Sequence, residues 1–354
     1  EQQYGLRAYV GVGYLQPSLS PVRDKSNLTE EIYVPARKKD VQNIINRLNR
    51  PECRLLVIHS FSGAGKSSLL KAGLVPALKN EFIDNTPVFP VLIRHYTDWF
   101  EKLKESFVNS LNEEVYSPNF LIEKLKYNQS KINVLIFDQF EEFFLIEKSE
   151  ARRKEFYDFL CKCINFTKTK IIFSLREDYL YDLLEIERIG CSGCLKSPID
   201  AITNILDREN RYELGNWSKS EAKEVIQVLT DNSALQLNTD FLETVINDLA
   251  HGNDKVRPIE LQIIGYELQK GRIGPENYSH AFHQREEIVK KHLYHEVIED
   301  CGEENRLLVI YILYFLTGNN ETRPLKSKYE LIADLGKIKH PIDRQQIDLV
   351  LKIL

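Results

Sequence analysis

Residues 55–78 read LLVIHSFSGAGKSSLLKAGLVPAL, and the order of chemistry within them decides the fold. The apolar run at 55–58 has the composition of a buried strand. A small polar loop follows, and Gly65-Lys66-Ser67-Ser68 opens an amphipathic helix. Strand, glycine-bearing loop and helix in that order make a phosphate-binding loop. Glycines let the backbone curl around phosphate oxygens, and the free N–H groups of the helix start point at the anion. Ser62, Gly63, Ala64, Gly65, Lys66, Ser67 and Ser68 then form the nucleotide cradle. Lys66 reaches the β- and γ-phosphates, and the Ser67 hydroxyl ligates Mg²⁺. One position departs from the pattern G-x-x-x-x-G-K-[ST]: Ser60 stands where the first glycine belongs.

Working outward, the run VLIF at 134–137 ends in Asp138, which reads as a strand buried on both faces with a carboxylate at its carboxyl end. Phosphoryl chemistry needs Mg²⁺ held opposite the loop and a carboxylate that orients water. Asp138 suits the first task, near Ser67. Glu141 or Glu142 suits the second, and the sequence does not choose between them; the same pair also fits an acidic helix start. A further buried run, KIIFSL at 170–175, ends at Arg176. Arg176 either faces the γ-phosphate or pairs with Glu177 or Asp178. VFPVLI at 88–93 predicts another strand, with Pro90 demoting its centre or marking a sheet edge. Helices are expected at 99–125, broken at Ser117-Pro118, and at 152–163. Strands alternating with helices imply a parallel sheet that binds ligands at the carboxyl ends of its strands.

The remainder divides the chain. Residues 1–30 are rich in turns and read as a linker or the tail of an upstream domain. A short extended piece with Tyr33 and Val34 then leads into a helix carrying Val41, Ile44, Ile45 and Leu48. The α/β domain is expected over 31–200. Strands should stop near Ser197, leaving a helical domain at 201–280 with helices at 201–206, 219–229, 239–249 and 258–268. Residues 281–354 carry an apolar helix at 303–316, a short extended piece at 322–325 and helices at 326–335 and 343–354, the order in which a winged helix begins. The last of these has no basic face, which argues against direct DNA contact.

Composition sets outer bounds. With 43% hydrophobic and 28% charged residues and a net charge of −5, the chain is of ordinary globular type without a basic field for nucleic acid. No apolar run approaches the roughly 18 residues of a membrane span, and the ATP-type loop leads us to expect a cytoplasmic location, where thiols stay reduced. Six cysteines in 354 residues do not make a disulfide framework. Cys191 and Cys194 have the spacing of half a zinc site, which Cys161 and Cys163 would have to complete. The chain begins at Glu1 and contains no methionine, where ordinary usage predicts roughly seven. We expect a piece of a longer protein, with selenomethionine positions and some loops missing from the string.

The strings GAGKSSLLKAGLVPAL, VLIFDQFEEFF and IIFSLREDYL, followed by NRYELGNWSKSEAKEVIQ and VRPIELQIIGYELQ, resemble the novel STAND NTPase family, including Avs-type antiviral sensors. The resemblance covers roughly residues 31–335. It implies an α/β P-loop NTPase core, then an all-α domain and the start of a winged helix. It also implies a slow, regulatory ATPase that stays closed with ADP, opens with ATP and forms a homo-oligomer when a trigger arrives at a sensor outside this chain. On the resemblance, Lys66 and Ser67 are Walker A residues, Asp138 is the Walker B aspartate, and Glu141 or Glu142 is the hydrolytic glutamate. Arg176 is then the sensor arginine, Pro258 packs on the adenine, and Val34 with Arg37 closes over the base. A DNA-acting initiator or loader, or a nucleotide-holding scaffold without turnover, shares the loop and stands as the alternative.

Overall fold

A computed structural model describes residues 35–94, 96, 98–111, 116–127, 130–189, 205–230, 238–250, 254–269, 278, 305–316, 326–338, 346–347 and 350–351. Helix α1 (Pro35–Leu48) leads into β1 (Leu55–Ser60), which is buried along its whole length. The phosphate-loop helix α2 begins at Lys66–Ser68, widens to a π-helical stretch over Leu69–Leu74 and finishes at Val75–Leu78. A hairpin joins β2 (Phe82–Ile83) to β3 (Thr86–Ile93). Its two turn residues, Asp84 and Asn85, have φ of 47° and 58°, the backbone that a tight hairpin requires. Next come α3 (Trp99–Leu111), α4 (Pro118–Tyr127), β4 (Ile132–Asp138), α5 (Glu141–Ile146), α6 (Glu150–Phe166) and β5 (Thr169–Arg176). A 3₁₀ segment, Glu177–Leu183, runs into α7 (Leu184–Ile189).

The strands form one six-stranded sheet in the order β2-β3-β4-β5-β1-β6. All its pairings are parallel except that of β2 with β3. Alternation within the buried runs fills two cores. Leu55 and Val57, Leu135 and Phe137, and Ile171 and Phe173 join the aromatic-rich core shared with α3, α4 and α6. Leu56 and Ile58, Val134 and Ile136, and Ile172 meet Val41, Ile44, Ile45 and Leu48 of α1 and the leucines of α2. This is the α/β P-loop NTPase arrangement, with helices on both faces. Pro90 lies in β3 beyond the two residues that pair with β2, so its missing N–H falls on an open edge.

The expectation that strands end near Ser197 is corrected. β6 (Arg211–Glu213) adds to the sheet beside β1, and β7 (Trp217–Ser218) pairs antiparallel with β8 (Lys255–Val256). The triplet Arg-Tyr-Glu has no apolar run to announce it. Backbone pairing places it, including the Leu214 N–H that donates to the His59 carbonyl at 2.8 Å. Helices α8 (Lys219–Thr230), α9 (Thr239–Leu249) and α10 (Pro258–Gln269) stand where helices were expected. Residues 205–206, expected in a helix, form a turn.

The chain separates into two units, 1–265 and 266–354. In the second, α11 (Arg306–Leu316) and α12 (Lys328–Leu335) pack with Ile347 and Val350 around Val309 and Ile312. Ser327 and Glu330 close a capping box at the start of α12. Val34, Cys191, Cys194, residues 322–325 and most of 343–354 lie outside the described residues. Among the described residues no helix is long and apolar enough to cross a membrane.

Candidate functional site

The carboxyl ends of β1, β3, β4 and β5 bring together Ser60, Arg94, Asp138 and Arg176, and the phosphate loop arches over them. Gly63 and Gly65 take φ of +83° and +87°, values that residues with a Cβ rarely adopt. Their surroundings differ. A Cβ on Gly65 would meet nothing within 4 Å, whereas one on Gly63 would come within 2.7 Å of Ile259 Cγ2. Gly65 therefore needs its glycine for backbone freedom alone, and Gly63 needs it for space as well. The Ile259 N–H also donates to the Gly63 carbonyl at 3.3 Å. Pro258, at the first turn of α10, thus stands directly beside the loop.

Lys66 is buried, and its ammonium donates to Ser60 Oγ at 2.8 Å and to the Ser60 carbonyl at 3.2 Å. Burial lowers its pKa, while the charges of Glu141 and Asp138 oppose that shift. The residue that breaks the glycine pattern is thus the one that grips the lysine. Ser67 is buried beside it and Ser68 half-buried; Ser62 is exposed and Ala64 buried.

Asp138 is wholly buried. Its Oδ1 accepts from Ser174 Oγ at 3.2 Å, and Oδ2 makes no hydrogen bond. Burial raises its pKa, with the Ser67 and Ser174 hydroxyls pulling it down. A buried carboxylate oxygen left without a partner, next to a serine hydroxyl, is a hard oxygen donor set that fits Mg²⁺.

The two glutamates of α5 part company. Glu141 is buried and its Oε2 accepts from the Arg176 N–H at 3.3 Å; the positive charge acting on it is that of Lys66. Glu142 is half-buried, and the charge acting on it most strongly is Arg94. Burial raises both carboxyls. The Arg176 guanidinium forms an ion pair with Asp178, one of the two pairings open from sequence, and lies over the Tyr179 ring.

Arg37, which the resemblance sets over the base, is tied to the backbone around the phosphate loop. It is buried, donating to the carbonyls of Ala64 (2.7 Å) and Gly215 (3.0 Å) and pairing with Asp40 at 2.9 Å. It ties α1 to the loop and to the segment between β6 and β7, with Trp217 under its guanidinium at 5.3 Å. Cys161 and Cys163 are core residues of α6, and burial holds the Cys163 thiol protonated.

Sequence reasoning passed over Arg94, Tyr96, Gln139 and Ile259. Arg94 was within reach, since it directly follows a strand recognised at 88–93 and so stands at a carboxyl end like the other site residues.

A family model described as Novel STAND NTPase 1 matches residues 29–270. Comparison with curated proteins finds no match. The fold is similar to that of the ORC2 protein of Aeropyrum pernix in its ADP form, at 12% identity and a TM-score of 0.50, covering 98% of this chain and 88% of that one. The A. pernix ORC1 protein in complex with DNA gives 11% identity and a TM-score of 0.49, with 92% and 86% covered. Cdc6p from Pyrobaculum aerophilum gives 14% and 0.48, with 94% and 88% covered. Identities this low speak to fold alone.

Proposed function

This chain belongs to the novel STAND NTPase family, whose model matches well over half of it, and from that premise we propose that it is an ATP/ADP-dependent switch with slow, regulatory ATP hydrolysis. The observation that carries the reading is the joint between Gly63 and Ile259. The loop that would cradle the phosphates is hydrogen-bonded to the first turn of α10, so a change in loop geometry is transmitted to that helix. A nucleotide shifts such an equilibrium by its difference in affinity for the two states.

Lys66 exchanges its Ser60 contacts for phosphate oxygens. Ser67 and Asp138 would hold Mg²⁺, which when bound offsets the negative charge of the β- and γ-phosphates. Glu141 takes the proton of the attacking water. The water oxygen bonds to the γ-phosphorus, the bond from that phosphorus to the bridging oxygen breaks, and ADP and phosphate leave. Glu141 suits this task better than Glu142 because it faces Lys66 and the strand end at Arg176. Arg176 would leave Asp178 to report the γ-phosphate, and Pro258 would border the nucleotide.

The chain then divides into an α/β domain with β6 as its last sheet strand, a helical domain around α8 to α10, and a winged-helix start from residue 281. By family likeness, the ATP state self-associates once a trigger binds elsewhere in a larger cytoplasmic sensor, in prokaryotic antiphage defence. The test is equilibrium binding of ADP and ATP with Mg²⁺, together with sedimentation of each complex. Lys66→Ala should abolish binding, and wild type should change its sedimentation between nucleotides. Unchanged binding by Lys66→Ala overturns the reading, and turnover stimulated by DNA favours the initiator-type alternative.

A further inference from the structure

Arg94 directly follows β3, whose last register pair is Ile93 with Phe137, so it stands beside Asp138 at the carboxyl edge of the sheet. Its Nε–H donates to Gln139 Oε1 at 3.0 Å. Gln139 has φ of +55°, a left-handed conformation disfavoured for a side chain of this length. A residue held there needs neighbours that fix it, and such residues gather at functional turns. The neighbours are present. The Phe140 N–H donates to the Ser174 carbonyl at 2.8 Å, and the Glu142 N–H to the Gln139 carbonyl at 2.9 Å. The Tyr96 hydroxyl donates to the Asp138 carbonyl at 2.7 Å. After this reversal the charge of Lys66 acts on Glu141 and that of Arg94 on Glu142.

We propose that Arg94 is a positioning residue for hydrolysis: by holding Gln139 it fixes the turn after Asp138, so that Glu141 is the carboxylate presented to the attacking water. The inference rests on the nucleotide-hydrolysis reading above. It assigns a role to a cation outside the phosphate loop and the strand end at Arg176, and it explains why a glutamine occupies a position where glycine would fit the backbone better.

Gln139→Gly, Arg94→Gln and the double variant test it, with single-turnover ATP hydrolysis, nucleotide affinity and thermal midpoint measured on each. Gln139→Gly should keep or raise the midpoint, because glycine is at home at positive φ. It should leave affinity within about twofold and slow hydrolysis roughly tenfold, as misplacement of a catalytic group does. Arg94→Gln should slow hydrolysis by a similar factor, and the double variant no further, because the two side chains act through one contact. A purely structural role would instead lower the midpoint. Gln139→Gly turning over at the wild-type rate, losses that multiply in the double variant, or affinity falling in step with rate each overturns the proposal. Wild type that binds ATP and never hydrolyses it overturns the hydrolysis reading and this inference together, whereas active wild type with unaltered variants overturns this inference alone.

Discussion

Lys66 and Ser60 show what a single departure from a motif can do. A glycine at position 60 would leave the lysine only the backbone carbonyl; the serine adds a hydroxyl at 2.8 Å. That hydroxyl competes with phosphate for the ammonium. Ser60→Gly should therefore tighten nucleotide binding by about 1 kcal/mol, roughly fivefold, in a fluorescence titration; weaker or equal binding would show that the contact does not compete. The carboxylates beside it have a consequence for stability. Asp138 and Glu141 both have folded-state pKa values raised by burial. Between the ordinary carboxylate range and those raised values, the folded chain without nucleotide binds more protons than the unfolded chain. Their contribution is therefore full below that window and is lost as pH rises through it. Glu141→Gln should flatten that slope and raise the nucleotide-free thermal midpoint at pH 7 by a few degrees, on the order of 1 kcal/mol, while hydrolysis falls. A midpoint that drops would mean the carboxylate is compensated in the empty site.

The joint between the loop and α10 makes a sharper forecast at the scale of elements. Gly65→Ala meets open space and carries only the left-handed backbone cost, about 1–2 kcal/mol. Gly63→Ala carries that cost and a clash with Ile259, adding about 1–3 kcal/mol. Denaturant titration should rank Gly63→Ala well below Gly65→Ala, and Ile259→Ala should restore part of the Gly63→Ala loss by making room. No rescue would place the damage in the loop itself. These elements also mark what the sequence disclosed. β1, β4 and β5 were legible because strands buried on both faces must be apolar throughout, and Asp138 and Arg176 were legible because they interrupt such runs at their carboxyl ends. β6 was not, because three polar-flanked residues are placed by backbone pairing that leaves no side-chain signature. Nor was the hold of Arg37 on Ala64 and Gly215, which joins positions far apart in the chain. Nor was the turn at Gln139, from which Glu141 and Glu142 set out, because no pattern of residue types announces its φ.

Taken whole, the molecule puts its charged machinery along one edge of a sheet whose faces are sealed by two apolar cores, and it carries a net charge of −5. An acidic chain gains little from counterion release on DNA, so hydrolysis should be unaffected by added duplex at low salt; stimulation that fades with salt would contradict this. A ligand that binds only the folded form stabilises it by mass action, about 2.7 kcal/mol at a hundredfold excess over Kd. Mg²⁺-ADP should accordingly raise the thermal midpoint of wild type and leave that of Lys66→Ala unmoved. The contact of Gly63 with Ile259 also has a meaning in time. During synthesis the phosphate loop, β4 and β5 leave the ribosome before α10, the helix that contacts the loop. Until then the loop lacks its contact with Ile259. On the switch reading proposed above, the joint can close over a nucleotide only once α10 has arrived.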